Sequence, residues 1–225
     1  MRLLVAILKY HISVYFGRDD ICAFQNCDSL EEVVLNDGLE TIEEMVFRYC
    51  ESLLSITIPS SVTDIERHAF SNCQKMKEVV FNEGLRKVGE YAFGSCKSLH
   101  SITLPSTLSV LGVGAFGSCS NLKEIVLNEG IKKIPEGAFS LCTSLQCITC
   151  PSSLIEIGKC AFERCYDGLK EFEVNEGMQK IGKAAFHDCI SLKRVVIPSS
   201  TLIEIGAKAF YNCNFLLFSG KRQID

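Results

Sequence analysis

The chain lacks tryptophan, carries only five prolines and four methionines in 225 residues, and has no long apolar run. Its longest aliphatic stretch, Leu3 to Leu8, ends at Lys9. A membrane-spanning helix needs roughly 20 apolar residues, so none is predicted despite a hydrophobic content of 47%. Charge of one sign is also scarce. The formal net charge is −4 and Lys and Arg do not cluster, which leaves no basic face for phosphate contacts and none for an anionic membrane surface. The opening Met1 to Lys9 has one early cation and an apolar stretch, as a secretory signal does. It is short for a signal core, and no small-x-small cleavage site follows before Tyr15-Phe16-Gly17. Residues 1–20 are therefore read as an N-terminal segment or cap.

Cysteine, by contrast, is abundant, with 13 in the chain, and it is strictly spaced. Phenylalanine precedes cysteine by three residues at Phe24/Cys27, Phe47/Cys50, Phe70/Cys73, Phe93/Cys96 and Phe116/Cys119, and again at Phe139/Cys142, Phe162/Cys165, Phe186/Cys189 and Phe210/Cys213. Successive cysteines lie 23 residues apart six times and then 24 apart twice. A fixed period of this length is the mark of a solenoid. About eight full turns fit between residues 21 and 218, with partial ends and a polar tail at 219–225.

Each unit opens with three apolar positions, as in Leu53-x-x-Ile56-x-Ile58 and Leu192-x-x-Val195-x-Ile197. Alternation at the end of that segment is the strand period. A turn then stops the strand, because proline has no donor for a ladder and glycine after asparagine readily takes positive φ. Two further apolar positions, as in Val62-x-x-Ile65, predict a short extended crossing. Ala69-Phe70-x-x-Cys73 then places Phe and Cys on one side of a predicted helical turn. The turns alternate: Asn36, Asn82, Asn128 and Asn175 each begin Asn-acidic-Gly, while Pro59, Pro105, Pro151 and Pro198 each begin Pro-Ser-Ser/Thr. The period is therefore doubled to about 46 residues. One-residue insertions fall near Asp167-Gly168 and near Thr201, where loops absorb them.

The pattern resembles the BspA-like class of leucine-rich repeats, whose hallmark L-x-x-I-x-I-P-x-S-V-x-x-I-x-x-x-A-F-x-x-C is matched nearly letter for letter by Leu53 to Cys73. The resemblance extends from about Ile21 to Cys213. It implies an α/β fold: a right-handed leucine-rich-repeat solenoid with a parallel concave β-sheet and short helical turns on the convex side. It also implies a binding role, without naming a partner.

The thiols are read as core. A residue type in the same slot of every turn forms a ladder along the solenoid, and free cysteine behaves as a small buried hydrophobe. Thirteen is odd, so disulfides cannot use them all, and a ladder of free thiols points to a reducing compartment and favours the cytoplasm over secretion. Cys147-x-x-Cys150 is the one C-x-x-C in the sequence. On a strand, residues three apart face opposite ways, so no metal is expected there. Cys22 and Cys160, each just before Ala-Phe, are placed near the convex surface. The four histidines, His11, His68, His100 and His187, fall on different faces several units apart and form no nucleophile–base pair. Gly112-x-Gly114 lacks a phosphate-loop lysine and is read as repeat variation. Neither catalysis nor a cofactor is expected.

What is left is a surface. The first outward column on the strands reads Glu32, Ser55, Glu78, Ser101, Glu124, Cys147, Glu171 and Arg194; the second reads Val34, Thr57, Val80, Thr103, Val126, Thr149, Glu173 and Val196. Glutamates on alternate strands stand about 9–10 Å apart, which limits like-charge repulsion, and Lys77, Lys123, Lys170 and Lys193 adjoin them. These columns suit an extended polypeptide or a basic protein surface, and solenoids commonly bind through such a sheet. The expectation is a non-catalytic protein-interaction scaffold; the alternative is a secreted or cell-surface adhesin. The columns hold no aromatic platform for a sugar. Phe215 to Phe218 reads as the start of a further strand, whose exposed backbone predicts end-to-end self-association.

Overall fold

The computed structural model describes residues 11–14, 22–198, 201, 203–213 and 217–219, with the backbone alone for 11–14 and 217–219. The apolar start at 1–9, Phe215, Leu216 and the tail beyond 219 lie outside the described residues.

Each repeat is one coil, and every coil rests on the next in register. The Leu-x-x-Ile-x-Ile segment forms the first strand of a coil. Examples are Glu32–Leu35, Ser55–Ile58, Glu78–Phe81, Ser101–Thr103, Glu124–Val126, Cys147–Thr149, Glu171–Glu173 and Arg194–Val196. Their pairing is parallel, with Ser55 opposite Glu78, Glu124 between Ser101 and Cys147, and Glu171 opposite Arg194. His11–Val14 adds in register before Glu32–Leu35, and Leu217–Ser219 after Arg194–Val196. Burial alternates along these strands, out-in-out-in at Glu32–Leu35 and Ser55–Ile58, because only every second side chain can face the core.

The predicted extended crossing is a second parallel ladder of two-residue strands. It runs Thr41–Ile42, Asp64–Ile65, Lys87–Val88 and Val110–Leu111, then Lys133–Ile134, Glu156–Ile157, Lys180–Ile181 and Glu204–Ile205. Ladder pairing lapses between Val110–Leu111 and Lys133–Ile134. Proline at 135 occupies the slot from which Gly112 and Gly158 donate to the coil before, and proline has no N–H to give.

The predicted helical turns are not formed; no helix occurs among the described residues. Two residues in every coil have left-handed backbone instead, one two places before the Phe and one two places after. Met45 (φ 57°) and Tyr49 (φ 62°) flank Phe47, and His68 (φ 56°) and Asn72 (φ 65°) flank Phe70. A left-handed residue cannot continue an α-helix. The segment is a string of tight turns: Arg48 N–H donates to Met45 O at 3.1 Å and Cys50 N–H to Phe47 O at 3.2 Å. The amides between them point along the solenoid, Phe47 N–H to Ala69 O and Tyr49 N–H to Ser71 O, both at 2.9 Å. Each strained residue costs about 1–3 kcal/mol, offset by these bonds and by the side chains they bury. Phe and Cys still share a face, because a β-turn also brings residues three apart together.

The core is this ladder. Nine phenylalanines from Phe24 to Phe210 stack with centroids 5.1–5.8 Å apart and planes 4–14° from parallel. The alanine before most of them, as at Ala69, Ala92, Ala115 and Ala138, is fully buried, leaving room for the ring. Backbone also meets backbone at one corner: a Cβ on Gly112 would lie 2.4 Å from the Gly89 carbonyl carbon. At Gly114 (φ 59°) it would lie 2.2 Å from the Tyr91 ring. The Gly-x-Gly fragment thus serves packing.

The doubled period has a structural reason. The asparagine of one coil donates from Nδ2 into the proline turn of the coil before: Asn82 to Ile58 O (2.9 Å), Asn128 to Pro105 O, and Asn175 to Pro151 O (2.8 Å). The acidic residue beside it reaches forward. Glu83 accepts from the N–H and hydroxyl of Ser106, and Glu129 from those of Ser152 and from Ser153 N–H. An Asn turn therefore needs a Pro-Ser turn on each side.

Two predictions follow from these contacts. Phe116→Ala removes one ring from the middle of a continuous stack and should lower unfolding free energy by about 3–5 kcal/mol, read as a shifted urea midpoint. A loss below about 1 kcal/mol would mean that the ladder does not hold the coils. The bonds from Ser152 and Ser153 hold the Glu129 carboxyl below the usual range. That stabilisation is present at neutral pH, above the unfolded value of about 4.3, and disappears as pH falls through the lower folded value. Glu129→Gln should therefore melt below the wild type at pH 7, with the gap closing near pH 3 in circular dichroism melts. A gap independent of pH would show that the carboxylate charge is not the cause.

Candidate functional site

The structure places both columns on the outer side of the first ladder. Glu32, Ser55, Glu78, Ser101, Glu124, Cys147, Glu171 and Arg194 are all exposed. So are Val34, Thr57, Val80, Thr103, Thr149 and Glu173, while Val126 and Val196 are half-buried. The in-register strands bring Glu124 beside Ser101 and Cys147. Arg194 Nη1 stands 3.7 Å from Glu171 Oε2, which neutralises that end of the column. Lys77, Lys123, Lys170 and Lys193 are exposed next to it. The second column opens with apolar surface, Val34 at 45% and Val80 at 39% exposure, between Thr57 and the glutamates.

Over the early coils this face is hollowed. A depression of about 410 Å³ is bounded by Glu32, Val34, Ser55 and Thr57 from the two columns, and by Asp37, Pro59, Ser60 and Asn82 from the turns that follow. The turn residues were not among the expected site residues. They were findable: the alternation of Asn-acidic-Gly with Pro-Ser continues the outward columns past the strand ends, so the rim inherits both an acid and hydroxyls.

The face has seams between Glu32–Leu35 and Ser55–Ile58, between Glu78–Phe81 and Ser101–Thr103, and again further along. Cys147–Thr149 and Glu171–Glu173 belong to separate sheets, with no ladder between them among the described residues. The extra residue near Asp167-Gly168 lies in the loop that feeds the later strand. Ile148 at this seam is only half-buried, whereas its counterparts Ile102, Ile125 and Phe172 are buried.

The cysteines have a separate task. From Cys50 on, each thiol of the Phe-x-x-Cys series donates to the phenylalanine carbonyl of the preceding coil: Cys50 to Phe24 O at 3.1 Å, Cys73 to Phe47 O at 3.2 Å, and so on to Cys213 and Phe186 O. The same carbonyl accepts the N–H of the cysteine in its own coil, as Phe47 O does from Cys50. Burial pushes the Cys50 and Cys119 thiols up to about 12, so they stay protonated, as the donor role requires. Cys147 is exposed and Cys150 is packed inward against the core, as strand alternation predicts, so the two sulfurs face opposite sides. Cys22 and Cys160 are half-buried on the turn segments, and burial with a Glu163 hydrogen bond raises Cys160 to about 11. Among the described residues no group of three His, Cys, Asp or Glu side chains is arranged to hold a metal ion, and no helix is long and apolar enough to cross a membrane.

Comparison with known structures returns the same architecture. The chain is 27% identical to a leucine-rich repeat protein of T. pallidum, TpLRR, over 92% of this chain and 82% of that one, with a TM-score of 0.58. A leucine-rich repeat protein of Eubacterium ventriosum ATCC 27560 is 22% identical over 94% of this chain and 66% of its own, at a TM-score of 0.59. Against a leucine-rich repeat protein of Bacteroides ovatus ATCC 8483, 24% identical and with a TM-score of 0.49, the chain covers 59% of that protein's length. No curated protein matches significantly. The model of the BspA type leucine rich repeat region, in six copies, matches residues 20–134 and 111–223. With nearly all its length accounted for by these repeats, the chain belongs to the BspA-type leucine-rich repeat family.

Proposed function

We propose that the chain is a non-catalytic recognition scaffold whose partner is a protein, bound as an extended or basic segment along the outer face of the first ladder, on the concave side of a right-handed solenoid. The depression carries this reading: four residues of the outward columns, Glu32, Val34, Ser55 and Thr57, line it. The face combines what a polypeptide needs. Carboxylates at about twice the strand spacing suit basic side chains on one edge of an extended chain. Val34 and Val80 supply apolar contact, and the Ser and Thr hydroxyls are free to rotate toward backbone groups. The rigid backbone of the coils pre-organises these groups, which lowers the entropy lost on binding. No cofactor enters this reading.

The test is affinity purification from the native cell, comparing the wild type with two variants whose circular dichroism is unchanged. Glu78→Lys with Glu124→Lys reverses the column, and Thr57→Arg fills the depression. Both should lose the partner that the wild type retains. Recovery of the same partner by both variants would move recognition off this face.

A further inference from the structure

We infer that the turn ridge around Arg48 and His68 is a second docking surface, which accepts a carboxylate side chain from an acidic segment of another protein. This surface lies on the turn segments of the coils and is independent of the strand face.

Arg48 is a half-buried guanidinium that no carboxylate approaches within ion-pair distance among the described residues. Its neighbour Arg67 takes both nearby acids, Glu44 at 3.3 Å and Glu90 at 3.6 Å. Arg48 itself lies over the Tyr49 ring, 4.8 Å from the centroid. Its Nη2 donates to Tyr49 Oη at 3.3 Å, and its Nη1 meets only the Met45 sulfur at 3.7 Å. The Nε is buried with no partner. One coil on, the His68 ring stacks on Tyr91 with centroids 5.2 Å apart and planes 10° from parallel, and its Nδ1 is likewise buried without a partner. Burial, then the charges of Arg48 and Arg67, lower the His68 pKa against the opposing pull of Glu44 and Glu90. The imidazole is therefore neutral at pH 7 and leaves Arg48 as the uncommitted cation. Unsatisfied buried donors are rare in native proteins.

Elsewhere on the ridge, at other slots of the coil, an arginine does have its carboxylate. There His187 stacks on Tyr211 at 5.1 Å, but Arg164 Nε has Asp188 Oδ2 at 3.5 Å and Asn212 donates to Asp188 Oδ1 at 2.9 Å. A carboxylate within the chain sits beside that arginine; beside Arg48 none lies within ion-pair distance among the described residues. Guanidinium is built to grip a carboxylate through paired N–H groups. Tyr91, 42% exposed, and Tyr49 offer apolar area that a free anion leaves uncovered and a polypeptide covers. Tyr and Arg together are the composition of interface hot spots, which the strand columns lack.

The experiment uses the full chain labelled with ¹⁵N and titrated with an acetylated, amidated Gly-Glu-Phe-Glu-Gly peptide while the Arg48 Nε–H resonance is followed. The resonance should shift and saturate. Arg48→Met should weaken binding at least about tenfold, the effect of losing one charge-assisted hydrogen bond. The strand-face variant Glu78→Lys with Glu124→Lys should bind as the wild type does, so failure here and failure of the strand-face reading remain separate. An unmoved Arg48 resonance overturns the inference. So does equal binding of the Gly-Gln-Phe-Gln-Gly control, or inorganic phosphate binding as tightly as the peptide. If Arg48→Met does not fold, the wild-type shift and the two control ligands still decide.

Discussion

Phenylalanine rings 5.1–5.8 Å apart hold successive coils at close to one strand spacing, and this in-register stacking governs every other position in the chain. Whatever stands at one place in a coil stands directly over its counterpart in the next. A large side chain at the alanine slot would meet another large one, so that slot stays small. A backbone corner such as Gly89 over Gly112 leaves no room for a Cβ. The phenylalanine carbonyls, buried beside the rings, accept the cysteine N–H of their own coil and have a lone pair left for a second donor from the next. A thiol is a small donor that an apolar interior tolerates. The cysteine series follows from the phenylalanine series.

The same constraint explains alternation. A column of identical charges at about 4.8 Å would be repulsive, so charged columns change sign or skip a coil. In the second ladder Lys133 pairs with Glu156 at 3.0 Å and Lys180 with Glu204 at 3.3 Å. On the turn ridge Arg67 lies between Glu44 and Glu90, and Lys159 meets Glu136 at 2.5 Å. Exposed pairs of this kind add little stability singly; their arrangement avoids a penalty that identical neighbours would impose. The Asn and Pro turns alternate for a kindred reason. Each supplies the donors and acceptors that the other lacks, as Glu129 and Ser152 do.

The strand face was legible in the sequence because a strand's period of two leaves no freedom: once Ile56 and Ile58 point inward, Ser55 and Thr57 must point out. The doubled period was legible too, though its interlocking bonds were not. The turn segment misled because a three-residue spacing belongs equally to a helix and to a β-turn. The deciding feature, positive φ at residues such as Met45, Tyr91 and Ala184, has no signature in those side chains. It is imposed by the stack, whose interior rewards inter-coil bonds over a local helix. The depression was half legible, since its strand side was read and its turn rim of Asp37, Ser60 and Asn82 was not. The unpaired Arg48 was invisible, because its significance lies in a missing neighbour across coils.

The breaks in the first ladder show which part of the coil governs stacking. That ladder parts between Glu32–Leu35 and Ser55–Ile58, between Glu78–Phe81 and Ser101–Thr103, and between Cys147–Thr149 and Glu171–Glu173. Yet Phe162 still stacks on Phe186 at 5.2 Å, and Glu156 still pairs with Lys180 in the second ladder. The interior rings and the turn amides therefore keep coils together where the strand face has let go. A face that can lose a ladder without losing the stack is free to vary its outward residues, and its surface can diverge toward a partner. The turn ridge has less freedom, because its alternate amides bind the next coil; what it offers a partner is confined to tips such as Tyr91 and Tyr211. Recognition on the strand face is thus tuned by many small residues, and recognition on the ridge by a few large ones.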